Sequence, residues 1–233
     1  MVSARFWATA LIIGAATCVV LLAGFVPAAH ADNVFGTRGP DRLVGTGGED
    51  YIAGGAGDDH IFGRGGFFDY LDGGRGDDAI FGGRGADEYH GGPGDDHLFD
   101  NGGADTGVDD LSDGFDGAAG NDRIIDRGGR SFMEDGSGHD VLRSGHGPDS
   151  LLVSNGADRV WAGPGSDTVQ VDSDRAPDII RCGPGDDTIS LHERRELFLD
   201  RYFGCEHFSL NPVPERAGHR PRVWGLMADE GAN

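Results

Sequence analysis

An apolar side chain returns every nine residues along most of this chain, and few folds can use such a period. The series runs through Val34, Leu43, Ile52, Ile61, Leu71, Ile80, Tyr89 and Leu98, with a single ten-residue step. Two 13-residue steps then carry it through Leu111 and Ile124, and it continues through Met133, Leu142, Leu151, Val160 and Val169 to finish at Ile180 and Ile189. Aspartate stands two residues before nearly every one: Asp32, Asp41, Asp50, Asp59, Asp69, Asp78, Asp87, Asp96, Asp109, Asp122, Asp140, Asp149, Asp158, Asp167, Asp178 and Asp187, with Ser131 in that place before Met133. Glycine usually stands four before, as at Gly39, Gly48, Gly57, Gly76, Gly85, Gly94, Gly120, Gly138, Gly147, Gly156, Gly165 and Gly185. Three locked positions over so many copies define a repeat architecture, in which each unit buries its apolar face only against its neighbours.

Each position has a physical task. Glycine permits positive φ and close backbone approach, so a stretch such as Gly54-Gly55-Ala56-Gly57-Asp58-Asp59 turns sharply. The three residues that follow, such as His60-Ile61-Phe62, point outward, inward and outward in an extended strand. Two nine-residue units make one coil with two short strands and two turns, and stacked coils build two parallel sheets. The expected fold class is all-β: a parallel β-roll, a right-handed β-solenoid of stacked nonapeptides with a C-terminal cap. Composition agrees, because 43 glycines and 37% apolar residues suit a thin roll better than a thick globular core. The competing reading of such a glycine-rich acidic chain is a solvated, disordered polymer.

The net charge is −21 and all 19 basic residues are arginine. Nucleic acid and anionic membrane surfaces are therefore excluded as partners. A chain this acidic repels itself unless counter-ions are bound. Calcium takes six to eight oxygen ligands at about 2.3–2.6 Å and accepts carboxylates together with backbone carbonyls. Stacked turns offer both, since an aspartate in one coil meets its equivalent 18 or 19 residues later in the next.

Gly54-Gly-Ala-Gly-Asp-Asp-His-Ile-Phe62, Gly73-Gly-Arg-Gly-Asp-Asp-Ala-Ile-Phe81 and Gly91-Gly-Pro-Gly-Asp-Asp-His-Leu-Phe99 resemble the RTX, or haemolysin-type calcium-binding, nonapeptide GGxGxDxUx. The segment from Cys182-Gly-Pro-Gly-Asp-Asp187 to Gly204-Cys205-Glu206 is also similar to small secreted actinobacterial proteins of this group. The resemblance implies a parallel β-roll holding several Ca²⁺ ions between coils, disordered until calcium arrives. Carried onto this sequence, it implies metal ligands at Asp41, Asp50, Gly54, Gly55, Gly57, Asp58, Asp59, Gly73, Gly74, Gly76, Asp77, Asp78, Gly82, Gly85, Asp87, Gly91, Gly92, Gly94, Asp95, Asp96, Asp122, Asp140, Asp149, Asp158, Asp167 and Asp187.

Consecutive units alternate between two edges, so the sites are graded by edge. The turns ending at Asp41, Asp59, Asp78 and Asp96 are expected to hold ions most tightly. The opposite edge carries Asp50, Asp69 and Asp87, with an extra residue before Asp69 that weakens or displaces an ion. Residues 32–99 form the regular roll and 100–116 an irregular acidic insertion. Residues 117–190 form degenerate repeats with fewer ions, 191–210 a cap, and 211–233 a disordered tail.

Residues 1–31 read as a signal peptide, with Arg5, an apolar stretch from Ala8 to Val26, and an Ala29-His30-Ala31 cleavage site. An uncleaved membrane anchor is the alternative that the length of the apolar stretch leaves open. Cleavage removes Cys18 and leaves Cys182 and Cys205 as an even pair in an oxidising compartment, so they are expected to form a disulfide. The mature chain is then extracellular, with no membrane contact.

Catalytic motifs are missing from the pattern. His192-Glu-Arg-Arg-Glu196 lacks the second histidine of a zinc-protease helix, and no Gly-x-Ser-x-Gly elbow occurs. The scattered histidines have no compact zinc spacing. The repeats begin at the mature amino terminus, which leaves no room for a separate catalytic domain, so no catalytic residue is expected. A calcium-dependent adhesion module for cell-wall or matrix polymers is the first alternative, presenting Phe67, Phe68 and Trp161. A polysaccharide-active enzyme using Asp105 or Asp109 is the second.

Overall fold

The computed structural model describes residues 31–100, 113–172, 174–192 and 199–210. The signal segment up to residue 30, the acidic residues Asp105, Asp109 and Asp110 with Leu111, the 193–198 part of the cap and the 211–233 tail lie outside the described residues.

The described residues form two all-parallel sheets of stacked coils. The ten-stranded sheet comprises β1 (Asn33–Phe35), β3 (Tyr51–Ala56), β5 (Tyr70–Arg75), β7 (Glu88–Pro93), β9 (Asp113–Ala119), β11 (Ser131–Glu134), β13 (Ser150–Val153), β15 (Thr168–Val171), β17 (Thr188–Leu191) and β19 (His207–Leu210). The nine-stranded sheet comprises β2 (Arg42–Val44), β4 (His60–Phe62), β6 (Ala79–Phe81), β8 (His97–Phe99), β10 (Arg123–Ile125), β12 (Val141–Arg143), β14 (Arg159–Trp161), β16 (Ile179–Arg181) and β18 (Arg201–Phe203). The chain alternates between the sheets, so each strand pairs with the strand two later in sequence. This is the expected β-roll.

Register follows the apolar ladder. Val34 pairs with Ile52 and Ile52 with Leu71 in one sheet, while Leu43, Ile61, Ile80 and Leu98 stack in the other. The middle residue of the three-residue strands is buried between two more exposed neighbours, as in His60–Phe62, except in β1 and β18, where Val34 and Tyr202 are half-buried. The core is therefore one line of side chains per sheet, joined in the later coils by Val153, Ala162, Val171, Cys182 and Leu191.

The ladder departs from expectation at the insertion. It passes through Phe115 and not Leu111: Phe115 pairs with Tyr89 on one side and Met133 on the other, and its ring stacks on Tyr89 at 4.4 Å between centroids. Equivalent aspartates are 26 residues apart here instead of 18. All of the excess falls between Asp100 and Asp113, because β8 and β9 are both already in register. A parallel sheet tolerates a long excursion at one turn but no shift within a strand, since a one-residue slip would turn the apolar residue outward.

The segment expected as a cap supplies β18 and β19, which pair in register with β16 and β17 as a further coil. Tyr202 and Phe208 thus extend the ladder beyond Ile189. Cys182 and Cys205 form the expected disulfide, with 5.3 Å between Cα atoms.

Candidate metal centre

The turn aspartates form two ladders, one along each edge of the roll. Each aspartate donates its main-chain N–H to Oδ1 of the aspartate one coil later. On the first edge this runs from Asp41 to Asp59, Asp78, Asp96, Asp122, Asp140, Asp158, Asp178 and Asp200, with every bond between 2.7 and 2.9 Å. On the second it runs from Asp32 to Asp50, Asp69, Asp87 and Asp113, and resumes from Ser131 through Asp149, Asp167 and Asp187 to Oε2 of Glu206. The edges are those expected from alternation. Their last rungs, Asp200 and Glu206, escaped sequence reading because coil length stretches to 22 residues before Asp200 and the residue type changes at Glu206.

Oδ1 is thus a structural atom, and chemical capacity resides in Oδ2. In Asp59, Asp69, Asp78, Asp96, Asp122, Asp140, Asp149, Asp158, Asp167, Asp178 and Asp187, Oδ2 is buried with no hydrogen-bond partner. Asp41 and Asp50 differ, because their Oδ2 atoms accept the N–H groups of Thr37 and Thr46. A buried carboxylate oxygen left unpaired is costly. Rows of them facing one another cost more.

Burial raises these carboxyl groups above the usual aspartate range, and the neighbouring carboxylates add to it. Asp69 and Asp78 are pushed up to about 6, Asp96 and Asp167 to about 7, and Asp122 and Asp178 to about 8. Hydrogen bonds from the rung N–H groups oppose the shift without overcoming it.

The glycines explain where Oδ2 points. The first glycine of the turn has ordinary φ but no room for a side chain: a Cβ at Gly63 would lie 2.6 Å from both Asp69 Oδ2 and the Gly82 carbonyl oxygen of the next coil. The same pair of oxygens crowds Gly54, from Asp59 and Gly73, and Gly73, from Asp78 and Gly91. A carboxylate oxygen and a carbonyl oxygen from adjacent coils therefore border one small space. The second and third glycines have a different task, since Gly55 and Gly57 adopt φ of 105° and 109°, where an L side chain is strained. Gly74, Gly76, Gly85, Gly92 and Gly94 share that backbone state.

Asp58, Asp77 and Asp95 lie on the outside of the roll. There they form a second, solvent-facing ladder: Asp77 donates its N–H to Asp58 Oδ1, and Asp95 donates to Asp77 Oδ1. They are exposed, whereas Asp59, Asp78 and Asp96 beside them in sequence are buried.

The structure adds carboxylates outside the two ladders of turn aspartates, of which Asp100 belongs to the segment read from the sequence as an acidic insertion. Asp100, Asp126 and Asp135 occupy the first-glycine position of their turns and are buried. Two groups bring three carboxylates together, each offering an oxygen within 4.8 Å of the others: Asp87, Asp100 and Asp113, and Asp135, Asp140 and Asp158. Asp113 was masked by the phase of the ladder, since placing the apolar position at Leu111 puts the aspartate at 109. Asp135 was legible in principle, because it stands two residues after the ladder position Met133, where a glycine stands after Ile52.

The donor set is oxygen-only, buried and anionic, mixed with carbonyls, and spaced between coils. These are the requirements of a hard cation such as Ca²⁺. No curated protein matches the chain. A family model described as the RTX calcium-binding nonapeptide repeat (4 copies) matches residues 35–67, 65–89, 84–106, 116–151 and 143–175. With more than half of its length in those repeats and its aspartates stacked between coils, the chain belongs to the RTX calcium-binding nonapeptide-repeat family.

Proposed function

We propose that the chain is a secreted, non-enzymatic calcium-binding protein whose Ca²⁺ ions lie in the Gly/Asp turns between coils and drive its folding. The observation that carries this reading is the two rows of buried Oδ2 atoms without hydrogen-bond partners. On the first edge, Asp59, Asp78 and Asp96 supply carboxylate oxygens beside the carbonyls of Gly73, Gly91 and Gly117, and they are the leading ligands. Asp122, Asp140, Asp149, Asp158, Asp167 and Asp187 extend the set along both edges. Asp41 and Asp50 are weaker ligands because threonine N–H groups already engage their Oδ2 atoms.

Ions that bind only the folded chain stabilise it by mass action, about 2.7 kcal/mol for each site when free ion is a hundred times its Kd. Without them the roll must bury facing carboxylates, so calcium and folding are coupled. Far-ultraviolet circular dichroism of the mature chain tests this. A β signal that appears on adding calcium and disappears on chelation supports the reading, and a β signal unchanged by chelation overturns it.

A second reading, a calcium-dependent adhesion module for cell-wall or matrix polymers, is favoured by the outer surface. Phe67 and Phe68 are exposed, and Arg143 and Arg181 lie over the Trp161 ring at 4.5 and 5.7 Å. Calcium-dependent retention on immobilised cell-wall polymer supports that role, and equal retention in chelator removes it.

A further inference from the structure

The first-glycine positions of the edge containing Asp59 stack in register along the roll. Gly54, Gly73, Gly91 and Gly117 occupy them in the early coils, and Val153 and Val171 in the later ones. Between Gly117 and Val153 the position belongs to Asp135. Its side chain points into the roll, where an apolar residue would be the ordinary choice, and it is fully buried.

Asp135 does not stand alone there. It offers a carboxylate oxygen within 4.8 Å of those from Asp140, in its own turn, and Asp158, in the next coil. Two oxygens bound to one ion at about 2.3–2.6 Å each can be no more than about 4.6–5.2 Å apart, so the spacing fits a single hard cation. One oxygen of each carboxylate is already engaged. Oδ1 of Asp135 accepts the N–H groups of Gly136 and Ser154, Oδ1 of Asp140 accepts that of Asp122, and Oδ1 of Asp158 accepts that of Asp140. The remaining Oδ2 atoms of all three are buried without a hydrogen-bond partner.

We propose that Asp135, Asp140 and Asp158 form a three-carboxylate cation site where the glycine stack gives way to the apolar one. A regular turn pair contributes one carboxylate from each of two coils, whereas this site adds a third from inside the roll. Higher negative charge in a buried oxygen cage strengthens its hold on Ca²⁺ and strengthens it further for a trivalent ion of similar size. This rests on the calcium reading for the identity of the ion but not for the geometry of the cage. The site lies in the half of the chain whose repeats are most degenerate, and it gives that half an ion held more tightly than its neighbours.

Calorimetric titration of the full mature chain with Ca²⁺, and competition by La³⁺, provide the test. Asp135→Asn keeps an oxygen for the Gly136 and Ser154 N–H groups and removes only the charge. Asp135→Gly installs the residue found one coil earlier, and circular dichroism in calcium verifies that both variants fold. The expected result is one bound ion fewer, or one affinity weakened at least tenfold, with a reduced preference for La³⁺ and the other sites unchanged. If either folded variant binds the same number of ions with unchanged affinities, the site is refuted. A wild-type chain that takes up no calcium would instead refute the calcium reading as a whole.

Discussion

Asp78→Asn should have opposite effects on the stability of the roll with and without calcium. Oδ1 of Asp78 accepts the Asp59 N–H at 2.8 Å, and the amide oxygen of asparagine can keep that rung. Oδ2 is buried without a partner, and burial, with the Asp59 charge as the largest electrostatic addition, raises the carboxyl to about 6 from 3.8. At pH 8 and without ions the folded chain must hold that carboxylate ionised. A shift of two pKa units corresponds to roughly 3 kcal/mol, and solvent screening in the turn lowers this to about 1–3 kcal/mol. Removing the charge should therefore stabilise the calcium-free roll by that amount. With calcium at a hundred times its Kd, the variant instead forfeits up to about 2.7 kcal/mol for each ion whose site it breaks. The assay has two arms, followed by circular dichroism: folding by an excluded osmolyte in chelator, and urea unfolding in calcium. Asp78→Asn should fold at lower osmolyte than wild type in the first and unfold at lower urea in the second. If it is destabilised in both arms, Oδ2 is a purely structural atom and the argument fails.

Other perturbations follow from the same geometry. Because Asp96, Asp122, Asp158 and Asp178 are raised to about 7 or 8, protonation favours the calcium-free fold. That contribution is complete below about pH 4 and is lost as pH rises through 7–8, so in chelator the β signal should grow on acidification from pH 9 to 5, while calcium affinity measured by titration falls. Replacing Cys182 and Cys205 by serine opens a link between residues 23 apart and should cost about 3 kcal/mol, read as a lower urea midpoint in calcium. Gly76→Ala places a Cβ at φ of 122° and 2.5 Å from the Gly57 carbonyl oxygen, and should cost about 2–4 kcal/mol. Gly39→Ala meets nothing within 4 Å and should change stability by less than about 0.5 kcal/mol in the same unfolding assay.

The sequence carries the architecture unusually openly, because a repeat states its constraints many times. The nine-residue period, the inward position of Ile61 and its equivalents, the two aspartate edges and the cysteine pair are all legible. Phase at the insertion is not. Nothing in the composition of 100–116 tells Leu111 from Phe115, and only pairing with Tyr89 and Met133 decides between them. The division of labour within each aspartate is also hidden. A sequence says that Asp59 and Asp41 occupy the same position, but not that a threonine N–H has taken the second oxygen of Asp41.

That division links the repeat's structural and ionic roles. Oδ1 of each turn aspartate ties one coil to the next through a backbone N–H, which requires the side chain to lie in the turn whether or not an ion is near. Once placed there, Oδ2 faces the space beside the first glycine and must be satisfied by something. In the early coils that space is bare because Gly54, Gly73 and Gly91 have no side chain. In the later coils it is lined by Val153, Val171 and Leu191 on one edge and by Ala162 and Cys182 on the other, all buried. A buried valine or leucine contributes about 1.5–3 kcal/mol of hydrophobic stabilisation. On the proposed function, the roll therefore supplements its shared apolar ladder differently along its length, with oxygen cages for a cation in the early coils and an apolar lining closed by a disulfide in the later ones. Chelation should accordingly loosen the glycine-lined coils before the valine-lined ones, since the latter add a second buried apolar residue at the turn to the ladder that runs through both.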